Sequence, residues 1–206
     1  MRLNYDTCLS GEKTVLVPYR PEHVVRYHEW MKSPFLLEMT GSEPLSYDEE
    51  VEMQQTWRDD DDKCTFILLA KELCEPFLVQ TKDKDENKSC AENSLPSEFI
   101  TKSLDAMAGD VNLFLSEEDD DDDDVDNDDG SQNHCDDQDD KVPVRKQAEL
   151  DLMVAEEDFR GKGIGRESAC MMILYGAEEL GIRKFIVKIK EDNVASRHLF
   201  ENVSYI

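Results

Sequence analysis

No stretch of the 206-residue chain approaches the roughly eighteen consecutive apolar residues that a membrane-spanning helix needs, which excludes a helical membrane protein. Residues 1–12 alternate polar and apolar, so nothing there resembles the apolar core of a secretory leader. The six cysteines (Cys8, Cys64, Cys74, Cys90, Cys135 and Cys170) include no C-x-x-C pair, and a reducing, cytoplasmic setting is expected. Positive charge is scarce. With 23 Lys and Arg against 49 Asp and Glu the net charge is −26, which argues against nucleic-acid or anionic-membrane partners and leaves a basic protein or peptide allowed. Glycine is sparse too, at nine residues, yet three of them fall between Gly161 and Gly165.

That concentration, Arg160-Gly161-Lys162-Gly163-Ile164-Gly165, stands where a strand-like run at 148–155 gives way to helical spacing from Ile164 to Leu180, which ends at Gly181. Glycines let a turn present consecutive backbone N–H groups, and the helix N-terminus adds partial positive charge, so the stretch reads as a pyrophosphate cradle. The plainer alternative is a Gly-rich turn that merely opens a helix.

The rest of the chain fits one domain, 1–206, with two insertions. A β-branched strand at 13–19 leads through Pro21 to a helix at 23–32, in which Val24, Tyr27 and Met31 share a face beside Trp30, and which stops at Ser33-Pro34. Ser46 and Glu49 have capping-box spacing, which predicts a helix to about Trp57. Thr65–Ala70 is a strand apolar enough to be buried on both faces. A polar insertion spans 71–108. Gly109–Leu115 forms a further strand, with Val111, Leu113 and Leu115 on one face, and is paired as an antiparallel hairpin with the strand beginning near Ala148.

Their connection, 116–147, is expected to be a disordered acidic insertion. Glu117–Asp140 alone holds fifteen acidic residues and no Lys or Arg, more than half the net charge. It does not encode a calcium loop. A loop starting at Asp124 puts Asp129 where glycine is required, and the frame that places Gly130 there begins with Val125, so no metal site is expected, His134 and Cys135 included. The tract is either a solvated loop or a recruiter of basic surfaces. After the cradle helix, whose buried side is predicted to carry Ala169, Ile173, Ala177 and Leu180, come a strand at 185–190 and a last helix at 194–202 capped by Asn193.

On R-x-x-G-x-G at Arg160, Gly163 and Gly165 between strand and helix, with Asn193 and Ser196 after the following strand, the chain resembles the GCN5-related N-acetyltransferase (GNAT) superfamily over roughly residues 13–205. The N-terminal stretches VLVPYRPEHV, RYHEWM and DDKCTFILL resemble a branch acting on protein N termini, with tubulin the associated substrate. The resemblance implies an α/β fold with a mixed central sheet flanked by helices, acetyl-CoA as cosubstrate, and direct attack of a protein amine on the thioester. It places the cofactor against Met153, Ala155, Arg160, Gly161, Lys162, Gly163, Ile164, Gly165, Asn193 and Ser196. Met153 would polarise the thioester oxygen through its N–H, and the backbone at Ala155 would pair with the pantetheine arm.

Glu149 alternates onto one strand face with Asp151 and lies eleven residues before Arg160, where histone-acetylating members carry their general base. Asp151 is the second choice, and an ordinary polar strand position is the alternative for both. A tyrosine that protonates the departing thiolate in many relatives is replaced by Phe200, with Tyr175 and Tyr205 nearby. His28 and Glu29 could line the acceptor side. The superfamily continues past the last helix into two strands, whereas this sequence stops at Ile206, so the sheet is expected to lack its last strands. The second functional reading follows from that: a catalytically impaired fold kept for binding, whose acidic tract recruits basic partners.

Overall fold

The computed structural model describes residues 2–74, 97–117 and 146–203. The acidic tract from 118 on, His134, Cys135, Tyr205 and most of the polar insertion lie outside them. In chain order the elements are β1 (Leu9–Ser10), β2 (Thr14–Pro18), α1 (Val24–Trp30), α2 (Pro34–Thr40), α3 (Tyr47–Asp59), β3 (Lys63–Ala70), α4 (Ser97–Lys102), β4 (Met107–Glu117), β5 (Lys146–Val154), α5 (Ile164–Glu178), β6 (Ile182–Ile186) and α6 (Val194–Val203).

The six strands form one sheet in the order β1-β2-β3-β4-β5-β6, antiparallel except for the parallel pair β5–β6. This is the mixed sheet with flanking helices that the sequence implies. β3 is buried along its whole length. Its side chains alternate between two cores: Ile67 and Leu69 pack under α1 and α3 with Tyr19, Tyr27 and Trp30, while Phe66 and Leu68 pack under α5 with Leu113, Met172 and Tyr175. A strand buried on both faces cannot show polar alternation, which is why its sequence reads as a continuous apolar run.

The hairpin of β4 and β5 is longer than expected, since Ser116 and Glu117 pair with Gln147 and Lys146. These four residues, assigned above to the disordered insertion, belong to the ladder. On α5 the buried stripe is Ile164, Ser168, Met172 and Tyr175, beside Ala169 and Gly176, rather than one centred on Ile173 and Ala177. The reason is Gly176. Phe185, Ile182 and Leu113 approach to 3.0–3.1 Å of where its Cβ would be, so this bare side of the helix sits closest to the sheet.

The last strand is also displaced, to Ile182–Ile186 instead of 185–190. Its pairing with β5 ends at Glu149↔Ile186, while β5 runs on to Val154. Residues 187–190 remain apolar at alternate positions but leave the ladder, and a cleft opens beside the second half of β5.

Candidate active site

The cleft holds two adjoining cavities. The larger, about 670 Å³, lies between Leu152–Val154 of β5, the turn at 159–166, α2 and α6. Its walls are mostly apolar, from Phe35, Leu36 and Met39 of α2 and Leu199 of α6. The smaller, about 480 Å³, is floored by Glu149 and Asp151 and walled by Phe114, Lys188 and Phe200. Met39, Thr40, Leu152, Asn193 and Ser196 line both, so the two are continuous. Lys190 Nζ donates to the Glu38 carbonyl and ties α2 to the segment after β6.

At the far end of the larger cavity the turn before α5 is built as the glycines foretell. Gly161 and Gly163 hold φ of 71° and 90°, and Gly163 is the residue from which the helix starts. This left-handed backbone is strained for any other residue, and both glycines line the cavity. Arg160 does something different from what its charge suggests. Its Nε donates to the Val154 carbonyl (2.9 Å) and its Nη2 to the Ala155 carbonyl (2.8 Å), bracing the turn against the end of β5. Lys162 faces Glu72 at 3.9 Å, and its carbonyl accepts from Lys13 Nζ at 3.1 Å.

Of the residues expected to meet the cofactor, Met153, Arg160, Gly161, Gly163, Gly165, Asn193 and Ser196 line the larger cavity. Three do not. Ile164 is buried in the core, Lys162 turns outward to Glu72, and Ala155 is fully engaged: its N–H donates to the Ala108 carbonyl at 2.8 Å and its carbonyl takes Arg160. The Ala155 amide is therefore not available to a pantetheine arm, because β4 reaches one residue past the ladder to claim it. Asn193 caps α6 as expected, its Oδ1 accepting the Ser196 N–H at 3.1 Å.

The two carboxylates sit together on the floor of the smaller cavity. Glu149 Oε2 accepts from Lys188 Nζ at 2.6 Å, a partner that lies in the segment displaced from β6. Asp151, whose side chain is exposed to the cleft, is raised above its ordinary value, chiefly by desolvation and also by Glu149, with a backbone hydrogen bond and Lys63 opposing. Phe200 occupies the wall beside them, as the count from Ser196 predicts. Tyr175 is no substitute acid for it. Its hydroxyl donates to the Leu3 carbonyl at 3.1 Å, it lines neither cavity, and burial pushes it up to about 12. His28 is not solvated: its Nδ1 lies 3.2 Å from the buried Glu50 carboxylate, whereas Glu29 bonds Lys32 on the surface.

Sequence reasoning missed the wall made by α2. The signal was present, in Ser33 as a cap before Pro34 at the first helical position and in Gly41 as a left-handed stop. His198 and Asn202 of α6, which also face the larger cavity, gave no signal beyond helical spacing.

A glycine cradle at one end, a strand edge left open by diverging neighbours and paired carboxylates at the other end are what an acyl-transfer site requires. The chain matches the acetyltransferase (GNAT) domain family over residues 97–205. It belongs to the GNAT family of acetyltransferases.

Among its relatives, an alpha/beta-tubulin-N-acetyltransferase 9 from Drosophila melanogaster is 38% identical over all of this chain and 82% of its own length. The Homo sapiens protein of the same name is 37% identical over all of this chain and 78% of its own. An N-acetyltransferase 9-like protein from Nematostella vectensis is 35% identical, covering 80% of that protein. In fold, the chain is similar to a Vibrio cholerae spermidine N-acetyltransferase in complex with CoA and spermine, with a TM-score of 0.58 at 14% identity over 94% of this chain and 80% of that one. It is likewise similar to a ribosomal L7/L12 alpha-N-protein acetyltransferase in complex with CoA, with a TM-score of 0.57 at 14% identity over 95% of this chain and 82% of that one. The reading as a fold kept only for binding is not favoured.

Proposed function

We propose that the protein transfers the acetyl group of acetyl-CoA to a protein amine, an N-terminal α-amine above all, with tubulin N termini the acceptors suggested by the names of its relatives. The observation that carries this is the continuity of the two cavities along the unpaired half of β5, with the glycine turn at one end and Glu149 and Asp151 at the other. The residues present fit acetyl-CoA. Positive-φ glycines at a helix N-terminus suit a pyrophosphate, and an apolar cavity of about 670 Å³ beside an open strand edge suits an amide-bearing arm.

When bound, acetyl-CoA supplies an activated acyl group as a thioester. The turn at Gly161, Gly163 and Gly165 would hold its phosphates through backbone amides, and Arg160 keeps that turn fixed to β5. Leu152 and Val154 turn their backbone N–H groups to the open edge, where a donor can polarise the thioester oxygen at no reorganisation cost, whereas Met153, in phase with Ala155 and paired with Asp110, turns its own N–H to β4. The acceptor enters over Glu149 and Asp151. An ammonium must lose a proton before it can attack, and a carboxylate raised toward neutrality is the better base for that. Asp151 is raised above its ordinary value. Glu149, paired to Lys188, draws the acceptor's positive charge into the cleft. Phe200 cannot donate a proton, so the thiolate takes one from water or from the amine itself.

Incubation with labelled acetyl-CoA and a library of N-terminal peptides, tubulin sequences among them, tests this. Calorimetry with CoA reads cofactor binding separately. Labelling of free N termini supports the reading, and CoA binding without transfer to any amine rejects it.

A further inference from the structure

Below the smaller cavity, the sheet face that carries Glu149 and Asp151 stays polar for two more strands inward. The register puts Lys63, Phe114 and Glu149 on one rung, Thr65, Asn112 and Asp151 on the next, and Ile67, Asp110 and Met153 on the third. Residues directly opposite share a face, so these are neighbours in space. Thr65 Oγ1 donates to Asn112 Oδ1 at 2.7 Å, and Asn112 Nδ2 donates to Asp110 Oδ2 at 2.7 Å. Two buried atoms are left over. Asp110 Oδ1 and Lys63 Nζ have no hydrogen-bond partner, although each residue is only 2% exposed. Lys63 Nζ rests instead between ring faces, 3.6 Å from the centroid of Trp57 and 3.5 Å from that of Phe114. Phe114 in turn lines the smaller cavity.

Apolar residues of the same volume would be as stable here or more so, because an incompletely paired buried charge pays a desolvation penalty that the aromatic faces return only in part. A core that keeps such atoms is expected to use them. Asp110 and Asp151 are diagonal neighbours across two strands, with Cβ atoms roughly 7 Å apart, a gap that one bridging water spans.

We propose that Asp110 and Lys63 are positioning residues of the acceptor cleft that carry away the proton released when an amine is acetylated above Asp151. The inference rests on the acetyl-transfer reading. Transfer forms an N–C bond and breaks a C–S bond. Of the two protons an ammonium gives up, one ends on the CoA sulfur and one leaves the site. Asp151 takes that proton as an O–H bond and passes it to the ionised Asp110, which holds it while acceptor and product cover the cleft. The cation of Lys63 favours the ionised form of Asp110, so that once the product has left the proton returns by the same bridge to Asp151, whose side chain is exposed, and from there to water.

The titration of the seam agrees. Burial lifts Asp110 to about 7, with Asp151 adding and Asn112 and Lys63 opposing. Burial lowers Lys63 to about 8, with Asp110, Asp151 and Asp60 opposing. Other ionisable groups face the seam from every packed element. They are Tyr19 after β2 and Tyr27 on α1, both pushed far up, then Glu50 on α3 held by His28, and Glu149 on β5. None of the tyrosines ionises near neutrality, which leaves Asp110, Asp151 and Lys63 to move charge there.

The experiment is peptide acetylation by the full chain between pH 5.5 and 9.5, with CoA affinity measured alongside. The parent rate is expected to rise with pH through a midpoint near 7. Asp110→Asn, which keeps the shape, is expected to lower kcat about tenfold or more and remove that limb, with CoA affinity unchanged. Lys63→Met is expected to move the limb to higher pH, because its cation no longer pulls Asp110 down, and Lys63→Arg to restore it. Variants that keep the parent's rate and limb while only their melting temperature shifts overturn the proposal. A parent that binds CoA yet acetylates no amine overturns the acetyl-transfer reading, and this inference with it.

Discussion

A Cβ on Gly11 would lie 2.6 Å from the carboxyl carbon of Glu167, which is held there by the backbone N–H groups of Glu12, Lys13 and Thr14 at 2.7, 2.9 and 2.8 Å. Glu167 stands in the first turn of α5, so the β1–β2 turn clamps the helix that begins at the glycine cradle. Gly11→Ala is expected to push this carboxylate out and to cost roughly 1–3 kcal/mol, with weaker CoA binding. Thermal melts and CoA calorimetry read the two effects. A variant with parental stability would show that the clamp yields without consequence.

Arg160 bridges two carbonyls with two different nitrogens, a fork that lysine does not have. Arg160→Lys is expected to weaken CoA about tenfold while leaving affinity for an acceptor peptide unchanged. Equal loss for a phosphate-free pantetheine thioester would place the defect in the arm rather than at the phosphate turn.

Asp151→Asn is expected to reduce kcat about a hundredfold or more across the pH range, since a positioned general base contributes roughly 10²–10⁴. Glu149→Gln leaves Lys188 without its partner and is expected to raise KM for the peptide more than it lowers kcat. The reverse pattern would exchange the roles of the two carboxylates.

Phe200→Tyr brings a hydroxyl to the wall of the smaller cavity. It is expected to raise kcat several-fold below the thiol range, about pH 8.5, where a departing thiolate gains most from a proton donor. A rate that does not change would mean that thiolate departure does not limit turnover.

Two buried groups set opposing pH slopes on stability. Asp110 is raised from 3.8 to about 7, so the native state binds more protons than the unfolded chain in that window and stability falls as pH rises through it. His23, whose Nδ1 accepts the Arg20 N–H at 3.0 Å, is lowered by burial from 6.5 to about 3, so stability falls as pH drops through that window. The two nearly cancel between about pH 4 and 6.5. Asp110→Asn is therefore expected to unmask a melting temperature that rises with pH over this range, and His23→Gln one that falls. Parallel curves for the parent and both variants would reject the assignment.

Several features were legible in the residues. Ser46 and Glu49 form the capping box, with the Ser46 N–H donating to Glu49 at 2.8 Å, and the Arg160–Gly165 turn, the Asn193 cap and the β4–β5 hairpin stand where local chemistry puts them. What was hidden depends on distance in the chain. Pro34 was read as the end of one helix, although the same residue starts the next, because proline serves both roles. The divergence of β6 from β5 left no mark, since residues 187–190 keep strand-like alternation after their partner has gone. Asp110 and Asn112 alternate with apolar neighbours and read as solvent-facing. Only the pairing with β3 and the cover of α3 show that their side of the sheet is interior.

The hydrogen bond from Lys190 to the Glu38 carbonyl has a kinetic corollary. It joins two walls of the cleft between the glycine turn at one end and Glu149 at the other. On the acetyl-transfer reading, donor and acceptor occupy opposite ends, and neither has to depart before the other can enter. Initial-rate lines at several fixed concentrations of the second substrate should intersect rather than run parallel, and each product should compete chiefly with the reactant that shares its end of the cleft.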